Sequence, residues 1–413
     1  MNSAPFATSR RLQGVRYEIR GTLAARAHEL ERIGYEIVHL NIGNPGRFGF
    51  RTPETMRLAI IENLAASEAY CHQRGIFPAR EAVAMQQQSR GVTGVTADDV
   101  FIGNGVSELI DLSLRGFLNR GDEVLIPAPD YPLWTAAVVL NGGKAVHYPC
   151  RARNQYEPDI EELAACITPQ TRALVIINPN NPTGAVYSRA TLQKMIALAE
   201  QHDLMVLSDE IYDQMLYDDA EHVPVALLSD KILCGTFGGL SKIYRACGYR
   251  VGWLSFSGAT QRAQDYMDAV EMLASLRLCA NVPGQWAVQN AIGGQQSIYS
   301  LTGPTGRLYQ SRQAVIDATR DSEFLSTVVP RGSMYAFIEV DTTHLPGFDD
   351  NAFALELLEQ QHVLVAPGTS FNVSETNRFR ITLLPDRETL MDVFERIETL
   401  LKQMAQRLQS AAG

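Results

Sequence analysis

The sequence lacks a C-x-x-C pair, any clustering of cysteine with histidine, and any internal repeat or low-complexity tract. Its 6 cysteines are scattered along 413 residues, so neither a disulfide framework nor a metal site is predicted. No window approaches the roughly eighteen apolar residues of a membrane span. Arg10 and Arg11 are followed by no apolar stretch, so no signal peptide is predicted either, and the expected location is the cytoplasm.

The chain also has no excess of positive charge. Its formal net charge is -10 at pH 7. An acidic chain has no electrostatic attraction for nucleic acid or for an anionic membrane surface, so neither is an expected partner. With 46% hydrophobic and 20% charged residues, the chain is large enough for two domains with substantial cores. This composition favours an enzyme that acts on small metabolites.

Short apolar runs alternate with helical periodicity between residues 51 and 299. Runs that are apolar on both faces and separated by helices are typical of buried strands in a mostly parallel sheet. We therefore predict an α/β fold, with a large domain over 51–299 that contains a mostly parallel sheet flanked by helices. The runs are 100–102, 123–127, 173–177, 204–208 and 231–234.

The carboxyl-terminal part has a different pattern. Apolar and polar residues alternate over 334–340, and further strands are predicted at 363–365 and 378–383. A final helix carries an apolar face formed by Leu390, Phe394, Ile397, Leu401, Met404 and Leu408. This pattern predicts a smaller α+β domain built from residues 300–413 and completed by residues 1–50.

Lys242 ends the turn Gly239-Leu240-Ser241-Lys242, and Arg250 follows eight residues later. A lysine amine that forms a Schiff base and a guanidinium that binds phosphate are what a pyridoxal phosphate enzyme requires. A lone lysine is more often a solvated surface residue. The context favours the functional interpretation, because polar clusters at 178–184 and 209–212 precede Lys242 at intervals of about thirty residues, each after an apolar run.

Asp209 follows the apolar run 204–208, at the end of a predicted strand. A buried carboxylate is costly unless it is paired with a cation, and a protonated pyridine nitrogen is one. The alternative role is that of a helix N-cap. Tyr212 and Asn181 are candidates to donate hydrogen bonds to the 3-oxygen of the cofactor. Asn181 also precedes Pro182 in a turn-forming sequence, and both roles are compatible.

The loop 103–107 follows a predicted strand and opens a predicted helix. Such a helix start offers backbone N–H groups to a phosphate, so Val106 and Ser107 are candidate phosphate ligands. An ordinary strand-to-helix turn is the alternative. The loop fails as a dinucleotide fingerprint because Glu108 stands where a glycine is required, which disfavours a nicotinamide dehydrogenase.

Tyr131 is a candidate to stack on the cofactor ring, with a buried core tyrosine as the alternative. Arg380 lies between Phe379 and Ile381 in a predicted apolar strand. A guanidinium there indicates capture of a substrate carboxylate, although a structural salt bridge would also explain it. We take Arg277 as the candidate partner for the second carboxylate of a substrate such as glutamate.

Over essentially its whole length, the sequence resembles class I/II aminotransferases of the fold type I pyridoxal phosphate superfamily, and among them the bacterial glutamate-pyruvate (alanine) aminotransferases. Jointly, the motifs that carry the resemblance are highly specific. They occupy residues 40–45, 70–71, 103–110, 127–134, 178–184, 209–212 and 271–275.

The resemblance implies that the mostly parallel sheet has seven strands, and it implies a role for each candidate residue. Lys242 is implied to form the Schiff base with the cofactor, Asp209 to pair with its pyridine nitrogen, and Tyr131 to stack on its ring. Tyr212 and Asn181 are implied to hold the 3-oxygen. Family sites are shared across a homodimer, and the remaining implied contacts are Val106, Ser107, Arg250 and a neighbouring subunit's Tyr70 for the phosphate, and Gly43, Asn181 and Arg380 for the substrate.

The sequence departs from many relatives at two positions, with Gly239 where serine is frequent and Cys247 where proline is frequent. The first departure removes one hydroxyl group from the phosphate site. The second leaves the chemistry untouched.

The implied reaction moves an amino group between L-alanine and 2-oxoglutarate, with ping-pong kinetics. Aminotransfer on other amino acids and a pyridoxal phosphate-dependent carbon-sulfur β-lyase remain as alternatives. An amino-acid-sensing transcription regulator is a more distant alternative. Such regulators carry a basic winged-helix domain, whereas barely fifty residues precede the predicted sheet domain here.

Overall fold

The computed structural model describes residues 6–15 and 21–412. Residues 1–5, 16–20 and 413, which the predicted small domain includes, lie outside this range. The strands are β1 (Val38–His39), β2 (Val100–Gly103), β3 (Glu123–Ala128), β4 (Lys144–Pro149), β5 (Thr171–Ile177), β6 (Met205–Asp209), β7 (Leu233–Gly239), β8 (Gly252–Gly258), β9 (Leu325–Thr327), β10 (Tyr335–Val340), β11 (Val363–Leu364), β12 (Ala366–Pro367) and β13 (Arg378–Thr382).

The helices alternate with the strands through the central part of the chain. They are α1 (Thr22–Arg32), α2 (Glu54–Glu62), α3 (Phe77–Ser89), α4 (Val106–Phe117), α5 (Leu133–Leu140), α6 (Ile160–Ala165), α7 (Arg189–Gln201), α8 (Gln264–Leu276), α9 (Val282–Gln285), α10 (Ala287–Gly293), α11 (Ile298–Thr302), α12 (Arg307–Asp321), α13 (Asp350–Gln361) and α14 (Arg387–Ala412). No helix within the described ranges is long and apolar enough to cross a membrane.

A seven-stranded sheet with the strand order β2-β8-β7-β6-β5-β3-β4 lies between these helices. Strand β8 runs antiparallel to both of its neighbours, and every other adjacent pair is parallel. The prediction of a mostly parallel seven-stranded sheet is therefore confirmed. The central strands are buried on both faces because Val, Leu and Ile side chains fill the layers above and below the sheet.

Two strands of this sheet have no counterpart among the predicted runs. Strand β4 lies at the edge and is only partly buried, and β8 contains glycine and serine, so neither reads as a continuous apolar run. Strand β7 also extends beyond the predicted run 231–234. A Cβ atom on Gly238 would lie 2.4 Å from Nε1 of Trp253 on β8, so the close approach of these strands requires the glycine that dilutes the apolar signal.

A second, antiparallel sheet has the order β12-β13-β10-β9, and a parallel pair joins β1 to β11. The predicted strand 363–365 is divided, because β11 pairs with β1 whereas β12 pairs with β13. The pairing of β1 with β11 attaches the amino-terminal segment to the carboxyl-terminal part. This arrangement supports our proposal of a small domain formed by 1–50 and 300–413 beside a large domain at 51–299.

The parallel strands bring the predicted polar segments to one edge of the central sheet. Ile177, the last residue of β5, is in register with Asp209, the last residue of β6, and Asp209 is in register with Phe237 of β7. Because parallel strands end on the same side, the segments that follow them converge there. The candidate site therefore lies at the carboxyl edge of the sheet.

Candidate active site

Lys242 lies three residues beyond the end of β7 and is half-buried. Its Nζ atom donates a hydrogen bond to the backbone oxygen of Gly43, 2.9 Å away. Gly43 follows β1 in the amino-terminal segment, so this contact joins the turn after the central sheet to a distant part of the chain. The amine is thus held at a defined place, with only part of its surface open to solvent.

Asp209 is 4% exposed, and its carboxylate has two neutral donors. Nε1 of Trp134 donates to Oδ2 at 3.0 Å, and the backbone N–H of Ile211 donates to Oδ1 at 3.4 Å. Burial raises the pKa of Asp209 to about 6, while the Trp134 hydrogen bond, the Ile211 N–H and the positive Lys242 lower it. A cation beside this carboxylate would relieve much of the desolvation cost.

Trp134 is a residue that the sequence reasoning missed. It is fully buried on α5, and its ring meets Phe237 edge-on with centroids 5.2 Å apart. Nothing in the apolar helix 133–140 distinguishes this tryptophan from an ordinary core residue. Its N–H needs a buried acceptor, but only the fold shows that this acceptor is Asp209.

Tyr212 is 2% exposed and shares a hydrogen bond with the phenol of Tyr335. Burial raises the pKa of Tyr212 well above its ordinary value. Burial acts on Tyr335 in the same direction, but the positive charges of Lys242 and Arg380 and the Tyr212 hydrogen bond outweigh it and lower the Tyr335 pKa. Lys242 and Arg380 thus both act on the Tyr335 phenol through their charges.

Tyr335 also went unrecognised in the sequence, where it reads as one position of an alternating strand. A Cβ atom on Gly43 would lie 2.3 Å from the Tyr335 hydroxyl and 2.8 Å from Sδ of Met334. Position 43 therefore requires glycine, and its backbone lies directly against the Tyr335 phenol. The guanidinium carbon of Arg380 lies 4.1 Å from the Tyr335 ring centroid, a cation–π contact.

Asn181 and Arg380 meet although they are 199 positions apart in the chain. Nη1 of Arg380 donates to Oδ1 of Asn181 at 2.9 Å, and Nη2 donates to the backbone oxygen of Asn41. Arg380 is 1% exposed and also lies over the ring of Phe371, 4.6 Å from its centroid. The structure thus brings together Gly43, Asn181 and Arg380, the three predicted substrate contacts, next to Lys242.

Val106 begins α4, so the amides of Val106 and Ser107 belong to a first helical turn that has no acceptors within the helix. The Arg250 guanidinium reaches this turn, since its Nη2 donates to the backbone oxygen of Asn104 at 3.2 Å. A Cβ atom on Gly105, which has φ +86, would lie 2.2 Å from the same nitrogen. The geometry combines helix-start amides with an exposed guanidinium, which suits a phosphate.

Two predicted tyrosines lie in different environments. Tyr131 follows β3, is half-buried and packs against the buried clusters on both faces of the sheet. Tyr70 is 77% exposed and projects from the surface between α2 and α3. The Tyr70 side chain is therefore open to contact with a second subunit.

The structure argues against our prediction that Arg277 binds a substrate carboxylate. Nε of Arg277 is 2.9 Å from Oε1 of Glu108, and Nη2 donates to the backbone oxygen of Ile102 at 3.0 Å. Glu108 in turn accepts the backbone N–H of Asn104 at 2.7 Å. The guanidinium is used to tie the loop before α4 to the sheet, so its role is structural.

A cavity of about 730 Å³ lies elsewhere, between α3, α10 and the segment after β6. Its lining contains no predicted site residue, although Asp213 and Arg90, which form an ion pair, line it. Within residues 6–15 and 21–412, no group of three or more histidine, cysteine or acidic side chains is placed to hold a metal ion.

Comparison with known proteins identifies the family that has this fold and this site. The family model described as aminotransferase class I and II matches residues 35–397. The chain therefore belongs to the class I and II aminotransferases and is an aminotransferase, as the resemblance predicted.

Particular relatives cover nearly the whole chain. It is 47% identical over 382 residues to the glutamate-pyruvate aminotransferase AlaA of Escherichia coli, covering 92% of this chain and 94% of that protein. It is 45% identical over 397 residues to an alanine aminotransferase of Mycobacterium tuberculosis, covering 96% and 92%.

Solved structures agree with this assignment. A crystal structure of an Escherichia coli aminotransferase superposes with a TM-score of 0.95 at 46% identity, covering 97% of this chain and 99% of that one. An alanine aminotransferase from Pyrococcus furiosus superposes with a TM-score of 0.91 at 32% identity, covering 96% and 100%.

Proposed function

We propose that this aminotransferase uses pyridoxal 5'-phosphate to move an amino group between L-alanine and 2-oxoglutarate, giving pyruvate and L-glutamate in a ping-pong reaction. Relatives named glutamate-pyruvate aminotransferase or alanine aminotransferase, at 45–47% identity over more than nine-tenths of the chain, support this substrate pair. The observation that carries the proposal is the contact of Lys242 with Gly43. It holds the lysine amine where its charge acts on Asp209 and, together with that of Arg380, on Tyr335.

The residues present fit the cofactor. Asp209 is a buried carboxylate whose hydrogen-bond donors Trp134 and the Ile211 N–H are neutral, and a pyridinium nitrogen would supply the cation that such a group favours. The first turn of α4 and Arg250 offer amide and guanidinium donors to a phosphate. When bound, pyridoxal phosphate supplies an electron sink for the pair released at the substrate Cα.

Each neighbouring residue has a role that follows from its position. Asp209 would hold the proton of the pyridine nitrogen, and the Tyr212 hydroxyl and the Asn181 amide would donate to the 3-oxygen. Tyr131 would stack on the ring. The phosphate contacts that we propose are Val106, Ser107 and Arg250, with Tyr70 from a second subunit.

Lys242 is the residue that would hold the cofactor covalently, and its free Nζ would take the proton from the substrate Cα and later return a proton. Arg380 binds the substrate carboxylate, with Asn181 and Gly43 beside it. Because Lys242 contacts Gly43 directly, the amine lies next to the place where Arg380 would fix the substrate. This geometry would therefore orient the Cα–H bond of the substrate toward Nζ of Lys242.

The absorbance spectrum of the protein loaded with pyridoxal phosphate tests this proposal. L-Alanine should remove the band of the lysine-linked cofactor, and 2-oxoglutarate should restore it, with pyruvate and glutamate as the products. Lys242→Ala, which cannot form the link, is the control. A loaded protein whose spectrum ignores L-alanine would overturn the substrate assignment, and repeated turnover of L-cystathionine to a thiol, pyruvate and ammonia without any amino acceptor would indicate a lyase.

We also propose a homodimer with shared sites. Exposed apolar side chains support it. Leu64 and Phe77 flank Tyr70 in the chain, and Met272, Leu276 and Leu278 belong to the segment whose Arg277 contacts Gln73. Mixing Lys242→Ala subunits with Tyr70→Phe subunits tests the sharing, because one of the two sites in a mixed dimer then has both native residues. Activity that rises above that of either variant alone supports shared sites, and its absence in a confirmed mixed dimer contradicts them.

A further inference from the structure

Two cysteines distant in sequence lie together near the phosphate end of the site. Cys71 and Cys279 are free and half-buried, and the Cys279 thiol is a hydrogen-bond partner of the Cys71 thiol. The remaining cysteines have other surroundings. Cys150 and Cys234 are buried, and Cys166 lies 3.9 Å from the backbone oxygen of His147.

The side chain of Gln285 fastens the two cysteine-bearing segments to each other. Its Nε2 lies 3.5 Å from the Cys71 sulfur, and the same nitrogen donates to the backbone oxygens of Ala280 at 3.2 Å and Asn281 at 3.1 Å. Its Oε1 accepts the backbone N–H of Ile76 at 2.8 Å. Gln285 is 1% exposed, so this link is a fixed part of the fold.

A second contact ties the segments on the other side of the thiols. Nη1 of Arg277 donates to the backbone oxygen of Gln73 at 3.4 Å. Segment 71–76, which carries Cys71, is therefore held against segment 277–285, which carries Cys279, by two separate interactions. Thiols kept close in this way need only a small movement of the two segments to form a bond.

Both segments continue into the proposed phosphate site. Tyr70 directly precedes Cys71. Two residues after Cys279, the backbone N–H of Asn281 donates to Oδ1 of Asn104 at 2.8 Å, and its Nδ2 donates to the backbone oxygen of Arg250 at 2.9 Å. Movement of the segment that carries Cys279 would therefore shift the loop before α4 and the backbone at Arg250.

We propose that Cys71 and Cys279 form a reversible intrachain disulfide by exchange with a low-molecular-weight disulfide such as oxidised glutathione, and that this bond loosens the hold on the phosphate of the cofactor. The second part rests on the proposed function. The S–S bond of about 2.0 Å is shorter than any thiol hydrogen bond, so its formation draws Tyr70 and Asn281 from their positions.

Formation of the disulfide takes two thiol–disulfide exchange steps. One thiolate attacks a sulfur of oxidised glutathione, forms a mixed disulfide and releases one glutathione thiolate. The second cysteine attacks the mixed disulfide and releases the other. The protein loses two protons and two electrons, and oxidised glutathione is reduced to two thiols. Burial and the neighbouring Cys279 raise the pKa of the Cys71 thiol, so exchange should be faster in alkaline buffer.

The experiment treats the full-length protein, loaded with pyridoxal phosphate, with oxidised glutathione at pH about 8.5. Peptide mapping without reductant should show a cross-link between the peptides of Cys71 and Cys279, with two fewer titratable thiols than the 6 of the reduced chain. Cys71→Ser and Cys279→Ser should each abolish the cross-link. Cys166→Ser, which alters a half-buried cysteine elsewhere, should leave it unchanged.

Mixed disulfides with glutathione that never resolve, or a disulfide between two chains, would overturn the proposal. Cofactor retention on dialysis tests the consequence. The oxidised protein should lose pyridoxal phosphate several-fold faster, and added dithiothreitol should reverse the effect. An intrachain cross-link with unchanged retention would refute the loosening alone, and a protein that never binds pyridoxal phosphate would refute the proposed function while leaving the mapping result intact.

Discussion

Nε1 of Trp134 donates a hydrogen bond of 3.0 Å to Oδ2 of Asp209, a carboxylate at the end of β6 that is 4% exposed. This contact opposes the effect of burial, which raises the Asp209 pKa to about 6. The tryptophan therefore favours the charged form that a pyridinium requires. It is a positioning residue for the proposed cofactor site, since it acts through Asp209.

Replacing Trp134 with phenylalanine should weaken cofactor binding while keeping most of the packing on Phe237. Loss of a hydrogen bond to a charged group costs about 1.5–3 kcal/mol, which corresponds to about a tenfold to hundredfold weaker affinity for pyridoxal phosphate. The deficit should be larger near pH 6 than near pH 8, because the Asp209 pKa rises further. Spectroscopic titration at both pH values measures it, and an affinity equal to that of the native protein would contradict the assigned role.

Asp209→Asn should change how the stability of the cofactor-free protein depends on pH. The folded-state pKa of about 6 exceeds the ordinary 3.8, so the native protein binds the extra proton and loses stability as pH rises between these values. The difference corresponds to about 3 kcal/mol. Denaturant unfolding across this pH range should show the loss in the native protein and a flatter profile in the variant. Identical profiles would show that Asp209 titrates normally.

Gly43→Ala should destabilise the protein because its Cβ would lie 2.3 Å from the Tyr335 hydroxyl. Overpacking of this kind costs about 1–3 kcal/mol. In a Tyr335→Phe background the closest contact is absent, so the same alanine should cost less. A double-mutant cycle on the unfolding free energy measures the coupling, and additive effects would mean that the backbone at Gly43 moves away instead.

Arg277→Ala should not discriminate between substrates. The guanidinium pairs with Glu108, so its loss should lower stability and weaken the phosphate end of the site for every reaction. The ratio of kcat/KM for glutamate to that for alanine should stay within about twofold, well below the tenfold that 1.4 kcal/mol would produce. A selective loss with glutamate would restore the discarded substrate role of Arg277.

Much of the fold could be predicted because the central strands are buried on both faces. The runs at 173–177 and 204–208 are apolar for that reason, and they correspond closely to β5 and β6. Strands β4 and β8 could not be found in this way. The first is a partly exposed edge, and the second begins at Gly252, which packs against Gly105 and Val106 at the start of α4.

The sequence by itself determined which chemical groups are available and that they follow strands: Lys242 after β7, Asp209 at the end of β6, and Val106 at the start of α4. These are local properties, set by apolar periodicity and turn residues, so a linear reading reaches them. Tertiary structure alone decided the contacts between distant segments. Trp134 meets Asp209, Tyr335 meets Gly43, and Arg277 is paired with Glu108, because side-chain packing joins positions whose separation along the chain carries no signal.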